Sequence, residues 1–216
     1  VCSYTVDQIS RVTHLAFKAA QKRKKKVTLV DKANVLETSR LWRKTVTEIA
    51  KEYANVKLDF MFVDNAALQI VLNPKQFDVI LTENLFGDII SDEASVISGS
   101  IGLLASSSIG EKTAMFEPIH GTYPQAKGKD IANPLASILS AAMLLEHFGL
   151  QEEADSIKRA LEKSLTLGIT TEDIKGKNQY SASTPKVGGF IADYILNQED
   201  SNMNFMNIHA GQSTII

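Results

Sequence analysis

The sequence predicts an α/β fold in which helices cover a largely parallel β-sheet. Two observations favour this class. Short β-rich runs alternate with helical segments along the first half of the chain, and such alternation is typical of strands joined by crossover helices. Hydrophobic residues make up 44% of the 216 residues, which is the range of ordinary globular proteins and argues for a folded chain over a disordered one. This length allows one large α/β domain or two smaller ones.

The predicted elements of the first half follow one another closely. In the first helix, the residues Ile9, Val12, Leu15, Ala16 and Ala19 recur at spacings of three and four, which gives one apolar stripe. The strands are short runs of apolar and β-branched residues. Helices are predicted at about 7–24, 38–53, 64–72 and 88–98, and strands at 27–30, 57–63 and 78–82.

The second half has fewer strand signals. Residues 99–112 are rich in Gly and Ser, and we expect them to connect two domains. After a strand near 114–116, Asn133, Pro134 and Gly149 are placed as the N-cap, the first residue and the end of an apolar helix. Further helices are predicted at 152–166 and 185–196, and the polar tail from 197 is expected to be mobile.

Composition narrows the function classes. The net charge of −2 gives no electrostatic reason to expect nucleic-acid or membrane binding. A single cysteine, Cys2, excludes disulfides and cysteine-based zinc sites within one chain and fits a reducing cytoplasm. We see no membrane-length apolar run and no signal peptide. Because the chain opens with Val1 and runs straight into a helix pattern, we expect it to begin inside a longer protein.

Ionisable residues follow three of the predicted strands. Lys32 comes after the first strand, Asp64 after the second and Glu83 after the third. Ligands of parallel α/β sheets collect at the carboxyl ends of the strands. We therefore expect a lysine and several carboxylates to share one cleft. From the residues alone, Lys32 is equally interpretable as a solvated loop residue, and Tyr4 as a packing tyrosine.

Two aspartates lie four residues apart on one predicted helix. Asp88 and Asp92 therefore share a helical face, and two such carboxylates repel each other unless a cation lies between them. Oxygen ligands of this kind suit Mg²⁺ or Mn²⁺. The alternative is that Asp88 is a helix N-terminal acid and Asp92 a solvated residue.

A polar loop leads to the predicted helix at Pro134. It contains His120 and runs through residues 128–133. Backbone N–H groups at a helix N-terminus can bind anionic or nucleotide groups, although His120 alone could be a structural histidine. The G-x-G-x-x-G fingerprint of Rossmann folds does not occur in the sequence.

Five segments occur together in one order and spacing: VDKANVL at 30–36, NLFGDIISDEAS at 84–95, GSIGLL at 99–104, FEPIHGT at 116–122 and GKDIANP at 128–134. This combination resembles the β-decarboxylating dehydrogenases, and the resemblance extends to about Leu196. It implies a partial two-domain isocitrate/isopropylmalate dehydrogenase-like fold. Residues 1–98 would be the later part of the central, dimer-forming catalytic domain, and 99–196 the returning half of the cofactor-binding domain.

The resemblance implies a role for each site residue. Asp88 and Asp92 match metal ligands, which Asp64 of the partner subunit completes in a homodimer. Lys32, also delivered across the dimer interface, and Tyr4 match the catalytic lysine and tyrosine. The residues that match the NAD-binding positions are Asn34, Glu117, His120, Gly121, Thr122, Gln125, Ala132 and Asn133.

The implied reaction oxidises a 2-hydroxy acid with NAD⁺ and a divalent metal and then releases CO₂. Lys32 would help to remove the hydroxyl proton, and Tyr4 would protonate the enolate carbon as a general acid. The favoured substrate is 3-isopropylmalate, which yields 4-methyl-2-oxopentanoate in leucine biosynthesis. The alternatives are isocitrate, homoisocitrate or tartrate, or a catalytically silent dimerising fragment.

The sequence departs from the family pattern at two places. Gln125 stands where many NAD-using members have an aspartate that holds the adenosine ribose, and it lacks the charge that repels a 2′-phosphate. NAD stays favoured because the basic and aromatic pair of NADP-using members is also absent. The family's long N-terminal segment, which carries the arginines that clamp the substrate carboxylates, is not in this chain.

Overall fold

The computed structural model describes residues 2–177 and 180–197, so the predicted mobile tail lies almost wholly outside the described residues. The chain divides into two compact units, Val1–Ile97 and Ser98–Ile216. In the described part of the chain, no helix combines the length and the apolar character needed to cross a membrane.

The first unit is built on a three-stranded parallel sheet. Its strand order is β2-β1-β3, and the register pairs Asp31 with Phe62 and Val30 with Thr82. The carboxyl ends of all three strands therefore lie along one edge. The elements are α1 Val6–Gln21, β1 Lys26–Asp31, α2 Glu37–Ala50, β2 Lys57–Phe62, α3 Val63–Leu72, β3 Val79–Thr82 and α4 Asn84–Ser98.

Strand β1 is the centre of this unit because both of its faces are buried. Val27 and Leu29 point to one face and pack with Phe17 of α1 in one apolar cluster. Val30 points to the other face and packs with Ile90 of α4 in a second cluster. Each fully buried side chain of this size contributes about 1.5–3 kcal/mol relative to its exposed state. Burial on both faces is typical of parallel sheets, and it holds rigid the strand that ends at the candidate site.

The second unit pairs a short hairpin with three helices. Strands β4 and β5 are antiparallel, with Ser107 opposite Phe116. The helices enclose a core that includes Leu135, Val187 and Phe190. The elements are β4 Ala105–Ile109, β5 Ala114–Pro118, α5 Leu135–His147, α6 Gln151–Thr166 and α7 Thr184–Asn197.

Several sequence-based expectations differ from the structure. The helix expected at 88–98 begins four residues earlier, at Asn84, so Asp88 lies in its second turn. The buried residues of α1 are Ile9, Thr13, Ala16, Phe17 and Ala20, whereas Val12 and Leu15 of the expected apolar stripe are exposed.

Two further differences lie in the second unit. Residues 99–112 were expected to be a connecting segment, but they contain β4, whose serine-rich run forms a strand because it pairs with β5. The helix after Asn133 begins one residue later than expected, since Pro134 is its N-cap residue. The Asn133 side chain still caps it, because Oδ1 accepts a hydrogen bond of 3.0 Å from the Leu135 N–H. Gly149 follows with a φ of +79°, as a helix-ending glycine should.

Candidate active site

The structure brings Lys32 and Asp64 together at the carboxyl edge of the parallel sheet. Lys32 follows β1 and Asp64 lies in the first turn of α3, directly after β2. The Lys32 ammonium group forms an ion pair with the Asp64 carboxylate. The hydrogen bond from Lys32 is the main reason why the pKa of Asp64 lies below its usual value. This neighbourhood follows from the parallel register of the two strands.

The turn that carries Lys32 is fixed by a buried ion pair. The Asp31 carboxylate is almost completely buried and accepts hydrogen bonds of 2.8 Å from both Nε and Nη2 of Arg43. Asp31 Oδ1 also accepts a hydrogen bond of 3.0 Å from the Ala33 N–H. The Arg43 guanidinium carbon lies 4.9 Å from the Phe60 ring centre and 5.4 Å from that of Phe62. The sequence did not reveal this support, because Arg43 lies on the next helix.

A second buried contact reaches Lys32 through its backbone. The Lys32 N–H donates to Ser39 Oγ at 3.1 Å, and the Ser39 hydroxyl donates to Glu83 Oε1 at 2.7 Å. Ser39 is fully buried, and Glu83 is only 4% exposed. The sequence placed Glu83 at a strand end but gave no partner for it.

Tyr4 lies just before α1 and is held from two sides. Its ring packs edge-on against Trp42, with the ring centres 5.4 Å apart. Its hydroxyl oxygen accepts a hydrogen bond of 3.3 Å from the Asn84 N–H. Partial burial is the main cause that raises the pKa of Tyr4 above its usual value, and the nearby Cys2 and Glu83 act in the same direction. The phenol therefore keeps its proton at neutral pH and can serve as a proton donor.

Asp88 and Asp92 are both exposed on α4, where the four-residue spacing places them on one face. Their carboxylates offer oxygen ligands of the kind that Mg²⁺ and Mn²⁺ prefer. Within one chain the described residues do not bring three or more His, Cys, Asp or Glu side chains together in a group that could hold a metal. Within one chain, Asp64 therefore does not join Asp88 and Asp92 in such a group.

The second unit contains a cavity of about 480 Å³. Five of the predicted cofactor residues line it, and all five belong to the loop from β5 to α5. These residues are His120, Gly121, Thr122, Ala132 and Asn133. The remaining three do not line it. Glu117 is an exposed residue of β5, Gln125 is exposed in the short 3-10 turn Pro124–Ala126, and Asn34 is exposed in the first unit.

Asp173 organises one wall of this cavity. Its carboxylate accepts hydrogen bonds from Asn133 Nδ2 at 2.9 Å, from Thr171 Oγ1 at 2.6 Å and from the Ser100 hydroxyl. Partial burial acts to raise the pKa of Asp173, but the hydrogen bonds from Ser100, Thr171 and Asn133 outweigh it and hold the pKa below its usual value. The sequence did not predict a role for Asp173. Its position in a polar segment after α6 is the one feature of the sequence that points to it.

Gly102 allows Asn133 to close onto the same wall. A Cβ atom at position 102 would lie 2.8 Å from the Asn133 Cβ and 2.9 Å from its Nδ2. The Gly102 N–H donates to Ser100 Oγ at 3.0 Å. An alanine at this position would therefore force Asn133 away from Asp173.

Comparison with known proteins gives one family. The family model described as isocitrate/isopropylmalate dehydrogenase matches residues 1–191. The 3-isopropylmalate dehydrogenase of Wolinella succinogenes is 56% identical over 193 residues, which cover 88% of this chain and 54% of that protein. The 3-isopropylmalate dehydrogenase of Clostridium pasteurianum is 56% identical over 192 residues, with coverages of 88% and 54%. The chain thus spans about half the length of the curated relatives it matches.

Solved structures agree on the fold. The isocitrate dehydrogenase of Methylococcus capsulatus superposes with a TM-score of 0.84 at 39% identity, covering 90% of this chain and 58% of that one. A β-decarboxylating dehydrogenase of Thermococcus kodakarensis superposes with a TM-score of 0.82 at 38% identity, with coverages of 91% and 57%. The expected α/β fold of this type, present in part, is confirmed.

Proposed function

Because this chain belongs to the isocitrate/isopropylmalate dehydrogenase family, we propose that it forms part of an NAD- and metal-dependent enzyme that oxidises and decarboxylates 3-isopropylmalate. One structural observation carries the catalytic part of this proposal: Lys32 and Asp64 form an ion pair at the carboxyl edge of the parallel sheet. Ligands of open α/β sheets bind at this edge. The substrate is proposed from the curated relatives, which are named for it.

Lys32 and Tyr4 are the proposed proton-transfer residues. Lys32 would help to take the proton of the substrate hydroxyl, after its ammonium group has released one proton to solvent, while hydride leaves the neighbouring carbon for NAD⁺. Tyr4 would later donate its proton to the enolate carbon that remains after CO₂ has left. The raised pKa of Tyr4 supports this order, because it keeps the phenol protonated at neutral pH. The contacts of Lys32 with Ser39 and of Tyr4 with Trp42 and Asn84 would orient both residues before substrate binds.

Asp88 and Asp92 would hold a divalent metal together with Asp64 of the partner subunit. The pair on α4 offers the oxygen ligands that Mg²⁺ or Mn²⁺ requires. When bound, the metal would supply Lewis-acid polarisation of the substrate oxygen. Asp64 forms an ion pair with Lys32 in this chain. In the dimer, these two residues would therefore both lie in the partner's active site.

The cavity of the second unit is the proposed NAD site. Its loop presents His120, Gly121 and Thr122 on one side and Asn133, fixed by Asp173, on the other. A volume of about 480 Å³ lies within the range of small-molecule and cofactor pockets. Asn34, Glu117 and Gln125 stay predicted cofactor contacts that the cavity lining does not support.

A homodimer is proposed because two helices of the first unit leave large apolar side chains exposed. Exposed apolar groups gathered on one part of a protein are typical of interaction surfaces. The exposed residues on α3 and α4 are Leu68, Val71, Leu72, Leu85, Ile89, Val96 and Ile97. The dimer would supply the further metal ligand that one chain lacks. Sedimentation or light scattering of the whole enzyme tests it, and a monomer at working concentration would contradict it.

Two other functions remain candidates. Isocitrate oxidation is favoured by the likeness to the Methylococcus capsulatus enzyme, but at 39% identity this support is weaker than that of the 56% identical relatives. Homoisocitrate and tartrate oxidation have no such observation behind them. The second candidate is a catalytically silent dimerising fragment, and the exposed apolar side chains of α3 and α4 favour its dimerising part. We expect the isolated 216 residues to show negligible turnover.

A substrate panel tests the proposal. The whole enzyme is assayed with 3-isopropylmalate, isocitrate and tartrate, each with NAD⁺ and NADP⁺ and with and without Mg²⁺. We expect the largest kcat/KM for 3-isopropylmalate with NAD⁺ and no turnover after chelation of the metal. A preference for isocitrate or tartrate would reject the substrate. Robust turnover by the isolated chain would reject the fragment proposal. Cytoplasmic location and a place in leucine biosynthesis are proposed together with the substrate.

A further inference from the structure

Glu83 is a buried carboxylate for which the proposed reaction has no use. It lies directly after β3 and is only 4% exposed. A carboxylate in such a place is costly unless it accepts hydrogen bonds. The Ser39 hydroxyl of α2 donates to its Oε1 at 2.7 Å. This contact joins the end of β3 to α2 across a separation of 44 residues.

The Ser39–Glu83 contact also sets the direction of a hydrogen bond to the backbone of Lys32. A serine hydroxyl has one proton, and an ionised carboxylate can only accept. When the Ser39 hydroxyl donates its hydrogen bond to Glu83, its lone pairs are left to accept one from the Lys32 N–H, which lies 3.1 Å from Ser39 Oγ. The two hydrogen bonds thus run in one direction: the Lys32 N–H donates to the Ser39 hydroxyl, and the Ser39 hydroxyl donates to the Glu83 carboxylate.

Tyr4 is held by the residues next to this chain of hydrogen bonds. Asn84, which directly follows Glu83, donates its N–H to the Tyr4 hydroxyl at 3.3 Å. Trp42, which lies three residues after Ser39 on α2, packs edge-on against the Tyr4 ring. The Ser39–Glu83 hydrogen bond joins the two segments that carry these contacts. It acts together with the apolar cluster that contains Trp42 and Leu81 to fix the amide and the indole that hold Tyr4 relative to each other.

We propose that Glu83 and Ser39 are positioning residues: their hydrogen bond supports the backbone of Lys32 and joins the two segments whose Asn84 amide and Trp42 ring hold Tyr4. This inference rests on the proposed roles of Lys32 and Tyr4. It goes beyond them in one respect. If Lys32 acts in the partner's active site and Tyr4 acts in the active site of its own chain, the Ser39–Glu83 hydrogen bond positions one proton-transfer residue in each of two active sites.

The test begins with amide hydrogen exchange on the whole enzyme that contains this chain. Ser39→Ala removes the acceptor of the Lys32 N–H, so we expect exchange at Lys32 to accelerate about tenfold. Exchange at Leu29, inside β1, should not change. Glu83→Gln keeps an acceptor for the Ser39 hydroxyl, so its effect at Lys32 should be smaller, below about threefold. Ser140→Ala is the matched control, because Ser140 is a buried serine that bonds only within its own helix α5 in the contacts described.

The same variants are then assayed in the whole enzyme. Ser39→Ala should lower kcat about tenfold and change KM for the substrate and for NAD⁺ by less than about twofold, because misplaced proton-transfer groups act on the chemical step. Glu83→Gln should retain more of kcat than Ser39→Ala, and Ser140→Ala should match the wild type.

Two results would overturn the inference. One is a Ser39→Ala variant that matches Ser140→Ala in Lys32 exchange and in kcat. The other is faster exchange throughout the first unit, since this would show a general loss of stability instead of a positioning effect. If the wild-type enzyme oxidises none of the 2-hydroxy acids, the proposed function fails. The exchange data still decide whether the Ser39–Glu83 hydrogen bond holds Lys32.

Discussion

Asp31 and Arg43 form a two-point contact in which Nε and Nη2 of Arg43 each lie 2.8 Å from a carboxylate oxygen of Asp31. The Asp31 side chain is 2% exposed and that of Arg43 is 34% exposed. Two parallel hydrogen bonds fix the angle of the carboxylate as well as its distance. Because Lys32 directly follows Asp31, this contact fixes the position of the backbone from which the side chain of Lys32, the proposed proton acceptor, extends.

Replacing Arg43 should destabilise the chain strongly. In Arg43→Met the buried Asp31 carboxylate loses its cation, and we expect the free energy of unfolding to fall by about 3 kcal/mol. Urea denaturation measures this change. The control is Lys51→Met, which breaks an exposed pair between the C-cap residue of the same helix and Glu48 and should change stability by less than about 1 kcal/mol. Equal effects of the two variants would contradict a structural role for the Asp31–Arg43 pair.

Gly102→Ala should weaken cofactor binding. The added Cβ would lie 2.8 Å from the Asn133 Cβ, so Asn133 must move and lose its hydrogen bond to Asp173. Loss of one such polar contact in the cavity should raise KM for NAD⁺ about tenfold with a smaller change in kcat. Steady-state kinetics of the whole enzyme with varied NAD⁺ measure it.

Gly189→Ala is the control for that variant. A Cβ at this position in α7 meets no heavy atom within 4 Å, and alanine favours a helix by about 0.5–1 kcal/mol over glycine. We expect normal kinetics and equal or higher stability. An unchanged KM for NAD⁺ in Gly102→Ala would mean that the cavity wall does not hold the cofactor.

The sequence predicted the parts of the molecule that depend on nearby residues. Alternating strands and helices predicted the parallel sheet, and the rule that strand ends meet at one edge predicted that Lys32 and Asp64 would be neighbours. The strand β4 was missed because serine has little strand preference of its own. Its conformation comes from pairing with β5, which no local pattern reveals.

The supports of the candidate site were missed for a related reason. The hydrogen bond between Asn133 and Asp173 joins residues 40 apart in sequence, and the one between Ser39 and Glu83 joins residues 44 apart. Such contacts follow from the packing of several elements, and no spacing rule relates the two partners. The roles proposed for the site residues therefore stay predictions that rest on the family.

Tyr4→Phe should reduce turnover while the fold stays intact. Phenylalanine keeps the edge-on contact with Trp42 but cannot donate a proton, and loss of a general acid lowers rates by about 100- to 10,000-fold. The kcat of the whole enzyme measures this loss. Tyr53→Phe is the control, because Tyr53 also packs on an aromatic ring in the same core but bonds to His14 instead. Wild-type kcat in Tyr4→Phe would exclude Tyr4 as the acid.

The pH profile of the wild-type enzyme gives an independent check on Tyr4. Burial raises the pKa of Tyr4, and the charges of Cys2 and Glu83 act in the same direction. The acid form should therefore persist to a pH above the ordinary tyrosine value of about 10. Below that pH we expect no loss of kcat caused by ionisation of Tyr4. In Glu83→Gln, the alkaline limb of the pH profile, where kcat falls, should move to lower pH, because a charge that raises the pKa of Tyr4 is removed. A limb that moves upward in this variant would contradict the assignment.

Asp88→Asn should weaken metal binding. The variant replaces one of the two carboxylates on the exposed face of α4 with a neutral amide of the same shape. We expect the Mg²⁺ concentration for half-maximal activity to rise by about 100-fold, since even groups that only orient metal ligands are worth 10- to 100-fold. Magnesium titration of the whole enzyme measures it. Glu93→Gln, on the same helix, is the control and should leave the titration curve unchanged. If Asp88→Asn titrates like wild type, the metal assignment is wrong.

Asp78 should make the stability of the first unit depend on acid pH. Burial acts to raise the pKa of its carboxyl group. Hydrogen bonds from Arg23 Nε at 2.9 Å and from the Lys26 N–H at 3.2 Å outweigh burial and lower the pKa. The folded chain thus releases this proton more readily than the unfolded chain, whose aspartate pKa is about 3.9. The resulting stabilisation is present above about pH 4 and is lost as the pH falls through the folded-state pKa.

Asp78→Asn measures this contribution. The side chain of Asp78 is 2% exposed, so the variant should lose about 1–3 kcal/mol in the free energy of unfolding at pH 7. The gap to the wild type should shrink below about pH 4, because the unfolded wild-type chain then takes up the proton at Asp78 before the folded chain does. Asp155→Asn, with a side chain that is 45% exposed, is the control and should change stability by less than about 0.5 kcal/mol at either pH. A gap between Asp78→Asn and the wild type that stays constant from pH 7 to pH 3 would show that packing, and not the charge of Asp78, joins the end of α1 to β3.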